Sequence, residues 1–358
     1  MAPVIRELSK IKNLNTRICV SGQHREMLDQ VLEIFDISPN YDLNIMKKKQ
    51  NLNSIASLVI SGIDKVLDDF CPDLVIVHGD TTTTFSSALA SFNKNIRVAH
   101  VEAGLRTGNI LSPWPEEANR KLVGSIATYH FTPTNLATKN LINEGVNQEY
   151  ILQTGNTVID ALFIALRKIE NDTVLKKKII EYFSFLDLDK KIVLITGHRR
   201  ESFGKGFEEI CKSIKELAED FRDMQFVYPV HLNPNVRKPV EEFLSDMSNI
   251  FLIDPLEYLP FIFLMQKSYL ILTDSGGIQE EAGALNVPVL VMREITERPE
   301  GIEAGTIRLV GTEKTKIVSS FIELINDKAI YQKMSEAENP FGDGLASKKI
   351  ASYLSMEL

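Results

Sequence analysis

Cysteine and long apolar runs are scarce in this 358-residue chain, and both scarcities exclude classes of protein. The three cysteines, Cys19, Cys71 and Cys211, form no CxxC pair and have no histidine at zinc-site spacing, which disfavours a disulfide framework or structural zinc. No apolar run approaches the roughly twenty residues that span a bilayer, and the N-terminus lacks a signal-peptide pattern. We therefore expect a cytoplasmic protein with free thiols and no membrane contact.

The sequence also lacks the motifs of several enzyme classes. It contains no GxGxxG, Walker A, GxSxG or HExxH motif, which disfavours redox, ATPase, serine-hydrolase and metal chemistry. We expect no cofactor and no metal. The net charge of −8 argues against nonspecific nucleic-acid binding. With 44% apolar and 25% charged residues, the chain has a globular composition, and its length predicts two domains.

Short apolar runs alternate with longer amphipathic segments, the pattern of βαβ units built on parallel sheets. The predicted strands are 16–21, 74–78, 97–101, 130–132, 192–196, 225–229, 250–253, 269–273 and 288–292. A lysine-rich segment near 171–178 separates two such series. We therefore predict an α/β fold with two doubly wound parallel-sheet domains, residues 1–160 and 161–339. Such sheets bind ligands at the carboxyl ends of their strands.

The most informative motif is TDSGGIQEEAG, residues 273–283. Ser275, Gly276 and Gly277 follow an apolar strand and begin a helix, where glycines allow close approach and unpaired N–H groups attract an anion. Glu281 then brings a carboxylate beside the anion, as a sugar hydroxyl next to a diphosphate would require. One such turn alone is more often an ordinary helix start.

Three motifs of the first half end predicted strands or begin helices with acids. VHGDTTTT carries Asp80, HVEAGLRT carries Glu102, and SPWPEEANR carries Glu116, Glu117 and Arg120. Each acid alone is explained as a helix cap or first-turn residue. Three acid-bearing loops at the ligand-binding edge of one domain favour acid–base chemistry.

The second half offers cationic groups at equivalent positions. TGHRRESFG places His198 and Arg200 after one predicted strand, and YPVHLNPNV places His231 after the next. Such donors suit a phosphate, although a lone loop histidine is more often structural. DPLEYLPFIFLM indicates a buried segment at the start of a helix. In it, Tyr258 or Phe261 is able to stack on the flat base of a nucleotide.

With GQHREMLD, RPEGIEAGT and NPFGDGLASKKI, these motifs make the chain closely resemble the non-hydrolysing UDP-N-acetylglucosamine 2-epimerases along its whole length. The resemblance implies two Rossmann-like domains in a glycosyltransferase-B-like arrangement, with the active site in the cleft between them. It also implies that the terminal helix, within 340–358, packs on the first domain. The implied reaction interconverts UDP-GlcNAc and UDP-ManNAc by eliminating UDP to a 2-acetamidoglucal and adding it back, without nicotinamide. We also expect a homodimer serving cell-envelope polysaccharide biosynthesis.

The resemblance assigns roles motif by motif, and the acid–base set is Asp80, Glu102 and Glu116, with His198 supporting the departing diphosphate. Which carboxylate removes the C2 proton stays open. The implied substrate-binding residues are Arg120, His231, Tyr258, Phe261, Ser275, Gly276, Gly277 and Glu281. A second, activating UDP-GlcNAc molecule would use Gln23, Glu26, Arg200 and His231.

One departure from the family concerns the N-terminus. Family members begin with a short strand and a GTRPE-type loop ahead of the residue that is Met1 here. We expect the loss of a central strand, two exposed ladder edges and the loss of basic phosphate-contacting side chains. A misassigned start or an omitted segment explains this better than a shortened enzyme.

Other activities remain open from the sequence. A hydrolysing epimerase, an epimerase of another UDP-acetamido sugar and a glycosyltransferase of the same fold share these features. A UDP-sugar-binding protein without activity is the alternative from a different class.

Overall fold

Parallel β-sheets flanked by helices make up the computed structural model of the chain, which confirms the predicted α/β class. The structure describes residues 1–23, 25–46, 50–199 and 202–358, without the side chains of Glu26 and Met27. It divides into two units. Unit 1 comprises Met1–Ala161 and Phe341–Leu358, and unit 2 comprises Leu162–Pro340.

Unit 1 contains two parallel sheets, one ordered β1-β2 and the other β3-β4-β5-β6. Their strands are β1 (Cys19–Val20), β2 (Tyr41–Asp42), β3 (Leu74–His78), β4 (Arg97–Val101), β5 (Tyr129–Thr132) and β6 (Ile151–Gln153). Its helices are α1 (Ala2–Leu8), α2 (Arg25–Ile34), α3 (Leu52–Phe70), α4 (Thr82–Asn93), α5 (Glu116–Ile126), α6 (Asn135–Asn143), the start of α7 (Thr157–Asn171), and the last helix, α16 (Ala346–Glu357).

Within the described part of the chain, four strands of unit 1 pair on one side only: β1, β2, β3 and β6. β1 pairs with β2, and β3 pairs with β4. Leu74, Val75 and Ile76 of β3 are accordingly half-buried, whereas β4 is buried over most of its length.

Unit 2 contains a single six-stranded parallel sheet in the order β12-β11-β10-β7-β8-β9. Its strands are β7 (Ile192–Thr196), β8 (Gln225–Pro229), β9 (Ile250–Ile253), β10 (Ser268–Thr273), β11 (Val289–Val291) and β12 (Ile307–Leu309). Its further helices are α8 (Thr173–Tyr182), α9 (Lys205–Asp220), α10 (Pro234–Leu244), α11 (Tyr258–Lys267), α12 (Gly276–Ala284), α13 (Pro299–Ala304), α14 (Lys314–Asn326) and α15 (Lys328–Ser335).

Local signals in the sequence account for several helix starts. Asn51 and Ser54 form a reciprocal capping box at α3, and the Thr81 hydroxyl accepts the Thr84 N–H at α4. The start of α16 is held by Asp160, whose buried carboxylate accepts the N–H groups of Ala346 and Ser347. Asp160 therefore attaches the last helix to α7.

The core of unit 1 includes both ends of the chain. Val4 and Leu8 of α1 pack with Ile350 and Leu354 of α16 and with the buried strands β4 and β5. The larger core of unit 2 lies between its sheet and helices α9, α10 and α14. In each unit, polar loops follow the carboxyl ends of the strands, outside the core.

Candidate functional site

The strand order of unit 2 reverses between β7 and β10. From β7 the chain runs outward through β8 and β9, and from β10 it runs the other way through β11 and β12. Ligands of open α/β sheets bind at the carboxyl ends of the strands at this switch point. His198 follows β7, His231 follows β8 and Ser275 follows β10, so all three lie at the same edge of the sheet.

His198 lies between a histidine and a buried carboxylate. Its ring stacks on His231 with centroids 5.3 Å apart, and its Nδ1 is 3.8 Å from Oδ1 of Asp274. Burial lowers the pKa of His198, Asp274 opposes this effect, and His231 and Arg199 add to it. Nδ1 of His231 accepts the Asn233 N–H at 3.0 Å.

The two glycines of the Ser275-Gly276-Gly277 turn have different surroundings. A Cβ atom on Gly276 would lie 2.7 Å from Nη1 of Arg298, whereas a Cβ on Gly277 would meet nothing within 4 Å. Gly276 is thus required by packing, and Gly277 faces open space at the start of α12. The arrangement lets an anion approach the helix start closely.

A buried polar pair lies one turn further along α12. Burial, with Glu280 nearby, raises the pKa of Glu281 to about 8, and Tyr258 hydrogen-bonds to this carboxyl. The structure thus brings together two residues that the sequence analysis assigns to the substrate. Phe261 is half-buried one turn along α11.

Arg120 of α5 binds two carboxylates in unit 1. It donates to Oδ2 of Asp80 at 2.7 Å and to Oε2 of Glu117 at 3.1 Å. Glu117, wholly buried, also accepts the backbone N–H groups of Thr107 and Gly108. The network joins the three acid-bearing motifs and fixes the Asp80 carboxylate.

Glu102 follows β4 with φ of +65°, a left-handed conformation that is rare outside glycine. Asn156 donates to its Oε1 at 3.3 Å, and Nε2 of His78 lies 3.3 Å from its Oε2. The neighbouring Gly79 N–H donates to the carbonyl of Val101, which joins the Asp80 and Glu102 loops. Asp80 and Glu102 are therefore held at adjacent strand ends.

The remaining predicted residues have separate surroundings. Glu116 begins α5 and is half-buried, unlike the enclosed Glu117 beside it. Gln23 accepts a hydrogen bond from the Thr83 hydroxyl at 3.2 Å. The Glu26 side chain and Arg200 lie outside the described residues.

Comparisons with known proteins show the family of the chain. The sequence model described as UDP-N-acetylglucosamine 2-epimerase matches residues 6–355. The chain belongs to the UDP-N-acetylglucosamine 2-epimerase family. It is 54% identical over 354 residues to the UDP-N-acetylglucosamine 2-epimerase of Escherichia coli strain K12, covering 99% of this chain and 94% of that protein.

Solved structures of the family share the fold. The Neisseria meningitidis UDP-GlcNAc 2-epimerase bound to UDP-GlcNAc has a TM-score of 0.94 and 52% identity, covering 99% of this chain and 96% of that one. The Methanocaldococcus jannaschii UDP-GlcNAc 2-epimerase in complex with UDP-GlcNAc and UDP has a TM-score of 0.83 and 34% identity, covering 99% and 95%. These neighbours confirm the predicted glycosyltransferase-B-like fold class.

Sequence reasoning missed two residues that support the predicted ones, and it gave Glu117 no role of its own. Asp274 and His78 lie inside the very motifs that were singled out, next to Ser275 and Gly79. Their supporting contacts depend on tertiary distances, so only adjacency to a chosen residue could have drawn attention to them.

No helix of the described residues is long and apolar enough to cross a membrane.

Proposed function

We propose that the protein is an isomerase that interconverts UDP-N-acetylglucosamine and UDP-N-acetylmannosamine by inverting C2. The observation that carries this function is membership of the epimerase family over residues 6–355. The relatives from Neisseria meningitidis and Methanocaldococcus jannaschii bind UDP-GlcNAc, so the same substrate is proposed for this chain.

Unit 2 supplies the binding site for UDP in this proposal. The diphosphate lies at the start of α12 against Gly277, where backbone N–H groups and the helix dipole favour negative charge. His198 donates to the same diphosphate as it departs. Glu281 and Tyr258 face the nucleoside, and the high pKa of Glu281 keeps this carboxyl protonated at neutral pH.

Unit 1 supplies the proton carriers. Inversion at C2 requires one group to remove the C2 proton and another to return a proton from the opposite face. Asp80 and Glu102 are supported by the fixed partners Arg120 and Asn156, and Glu116 begins a helix in the same unit. Arg120 serves mainly to hold Asp80, because its guanidinium already donates to two carboxylates.

Incubation of the protein with UDP-GlcNAc tests the reaction class. NMR should detect UDP-ManNAc accumulating to a constant ratio with UDP-GlcNAc, and the same ratio should be reached from UDP-ManNAc. Free ManNAc and UDP would identify a hydrolysing enzyme, and binding without conversion would identify a UDP-sugar-binding protein.

The assembly state and location remain predictions. We propose a cytoplasmic homodimer, to be measured by light scattering on the purified protein and by fractionation of cells that express it. A single-chain mass or a membrane-fraction location would contradict the corresponding proposal.

A further inference from the structure

Asp274 is a buried carboxylate that the proposed reaction does not use directly. It follows β10 and is fully enclosed. Its Oδ2 accepts the backbone N–H groups of His198 and Arg199 at 2.7 and 2.8 Å. Its Oδ1 is buried and has no hydrogen-bond partner among the described residues. A buried charge needs compensation, and the two N–H donors supply it at one oxygen only.

The unpaired oxygen faces His198. Oδ1 of Asp274 lies 3.8 Å from Nδ1 of that ring. A small approach of the imidazole would form an Nδ1–H hydrogen bond and pair the carboxylate. We propose that Asp274 is the positioning residue for His198, clamping its loop through one oxygen and holding a proton on Nδ1 through the other.

The proton on Nδ1 determines whether Nε2 of His198 donates or accepts a hydrogen bond. With a proton held on Nδ1, neutral His198 presents Nε2 as an acceptor, and protonated His198 presents Nε2–H as a cationic donor. The cationic form is the one that stabilises a departing diphosphate. The inference rests on the proposed function for this last step, whereas the Asp274–His198 coupling stands on the geometry alone.

The charges around His198 oppose one another. Asp274 favours the protonated ring, while the stacked His231 and the adjacent Arg199 disfavour it, as does burial. Arg199 is partly neutralised by Glu297, whose Oε1 is 3.5 Å from the guanidinium. Removing the Asp274 charge therefore leaves only groups that oppose protonation among those described.

The same loop provides a matched control. The Tyr228 hydroxyl donates to the Gly197 carbonyl at 2.8 Å and is fully buried beneath the loop. Tyr228→Phe removes one loop-holding hydrogen bond without removing a carboxylate. It separates loosening of the loop from loss of the Asp274 charge.

We expect Asp274→Asn to change which ring nitrogen of His198 carries the proton. The single amide oxygen must serve the two backbone N–H groups, so the NH₂ group faces Nδ1 and makes it an acceptor. We expect the His198 tautomer to change to Nε2–H, and the pKa of His198 to fall by about one unit or more. Asp274→Glu keeps the charge and should keep a His198 pKa closer to that of the wild type.

Nitrogen NMR of the protein labelled at its six histidines measures both properties, with His198→Gln assigning the signal. Wild-type His198 should be the Nδ1–H tautomer when neutral. Asp274→Asn should lower the pKa and change the tautomer, and Tyr228→Phe should do neither. An Nε2–H wild-type tautomer would overturn the proposal even if Asp274→Asn failed to fold. An equal pKa shift in Tyr228→Phe, or none in Asp274→Asn, would also overturn it.

The kinetic readout tests the link to catalysis separately. The alkaline limb of the kcat profile should move to lower pH by about one unit or more in Asp274→Asn and stay in place in Tyr228→Phe. An unmoved limb would remove Asp274 from the positioning of His198 during turnover. If the wild type does not epimerise UDP-GlcNAc at all, the proposed function fails while the NMR result still decides the coupling.

Discussion

Replacing the two adjacent glycines of α12 one at a time should produce opposite effects. A Cβ at Gly276 would lie 2.7 Å from Nη1 of Arg298 and 3.0 Å from its Cζ. The Arg298 side chain cannot move away cheaply, because it is largely buried and pairs with Glu280 at 2.6 Å and Glu297 at 3.0 Å. A Cβ at Gly277 would meet nothing within 4 Å.

The expected cost of Gly276→Ala follows from those ion pairs. Breaking a buried pair on one side costs several kcal/mol, but Arg298 can keep part of its contacts after a small shift, so we expect a loss of about 2 kcal/mol. This should lower the Tm of unit 2 by about 4 to 8 °C. Gly277→Ala should leave stability unchanged or raise it by up to about 1 kcal/mol, because alanine favours the helix.

UDP affinity should fall in Gly277→Ala, the variant whose stability is unchanged or raised. The Gly277 methyl group would occupy the space through which the diphosphate approaches the backbone N–H groups, so we expect about a tenfold loss of UDP affinity. Thermal unfolding and calorimetry with UDP on both variants check the pair. A Gly277→Ala variant that binds UDP like the wild type would contradict the placement of the diphosphate against Gly277. A Gly276→Ala variant as stable as the wild type would contradict the packing requirement at Gly276.

Three further outcomes are expected. Asp80→Asn, Glu102→Gln and Glu116→Gln should each lower kcat by roughly a hundredfold or more while calorimetry finds UDP affinity retained, and wild-type rates in all three would dismiss them as helix-start acids. The folded pKa of Glu281 is raised from 4.5 to about 8, so its contribution to stability is full below pH 4.5 and is lost as the pH rises to about 8. Denaturation measured between pH 5 and 8 should therefore show this decline in stability in the wild type and not in Glu281→Gln. A parallel dependence of stability on pH in the two proteins would contradict this expectation. Initial rates should depend sigmoidally on UDP-GlcNAc and less so in Gln23→Ala, whereas hyperbolic wild-type rates would remove the proposed second ligand.

The longer strands were predictable from sequence because most of their residues are apolar. Residues 74–78, 97–101 and 192–196 were expected as strands, and β3, β4 and β7 have the same bounds. The three strands that the pattern missed, β2, β6 and β12, are two or three residues long and each lies at a sheet edge. Short edge strands bury little apolar surface, so they leave almost no periodic signal.

The predicted first strand illustrates the same limit. Residues 16–21 were expected as a strand, but only Cys19–Val20 pairs, with Tyr41–Asp42. A ladder needs a partner on at least one side, and β1 has one only over these two residues in the described part of the chain. The strand's apolar pattern was visible in the sequence, but its pairing was not.

Site residues were predictable where a motif carried them and not where a contact defined them. The sequence placed Asp80 and Ser275 at strand ends, which β3 and β10 confirm. It could not distinguish Glu117, which is enclosed by Arg120 and backbone N–H groups, from its half-exposed neighbour. Such distinctions depend on distances across more than one element, which no single sequence contains.

The proposed reaction inverts C2 by removing its proton and returning a proton from the opposite face. Turnover of UDP-GlcNAc in deuterated water tests this most directly, with NMR of the product mixture. We expect UDP-ManNAc carrying deuterium at C2, and label entering UDP-GlcNAc as the reaction reverses. UDP-ManNAc that retains its original C2 hydrogen would contradict removal of the C2 proton.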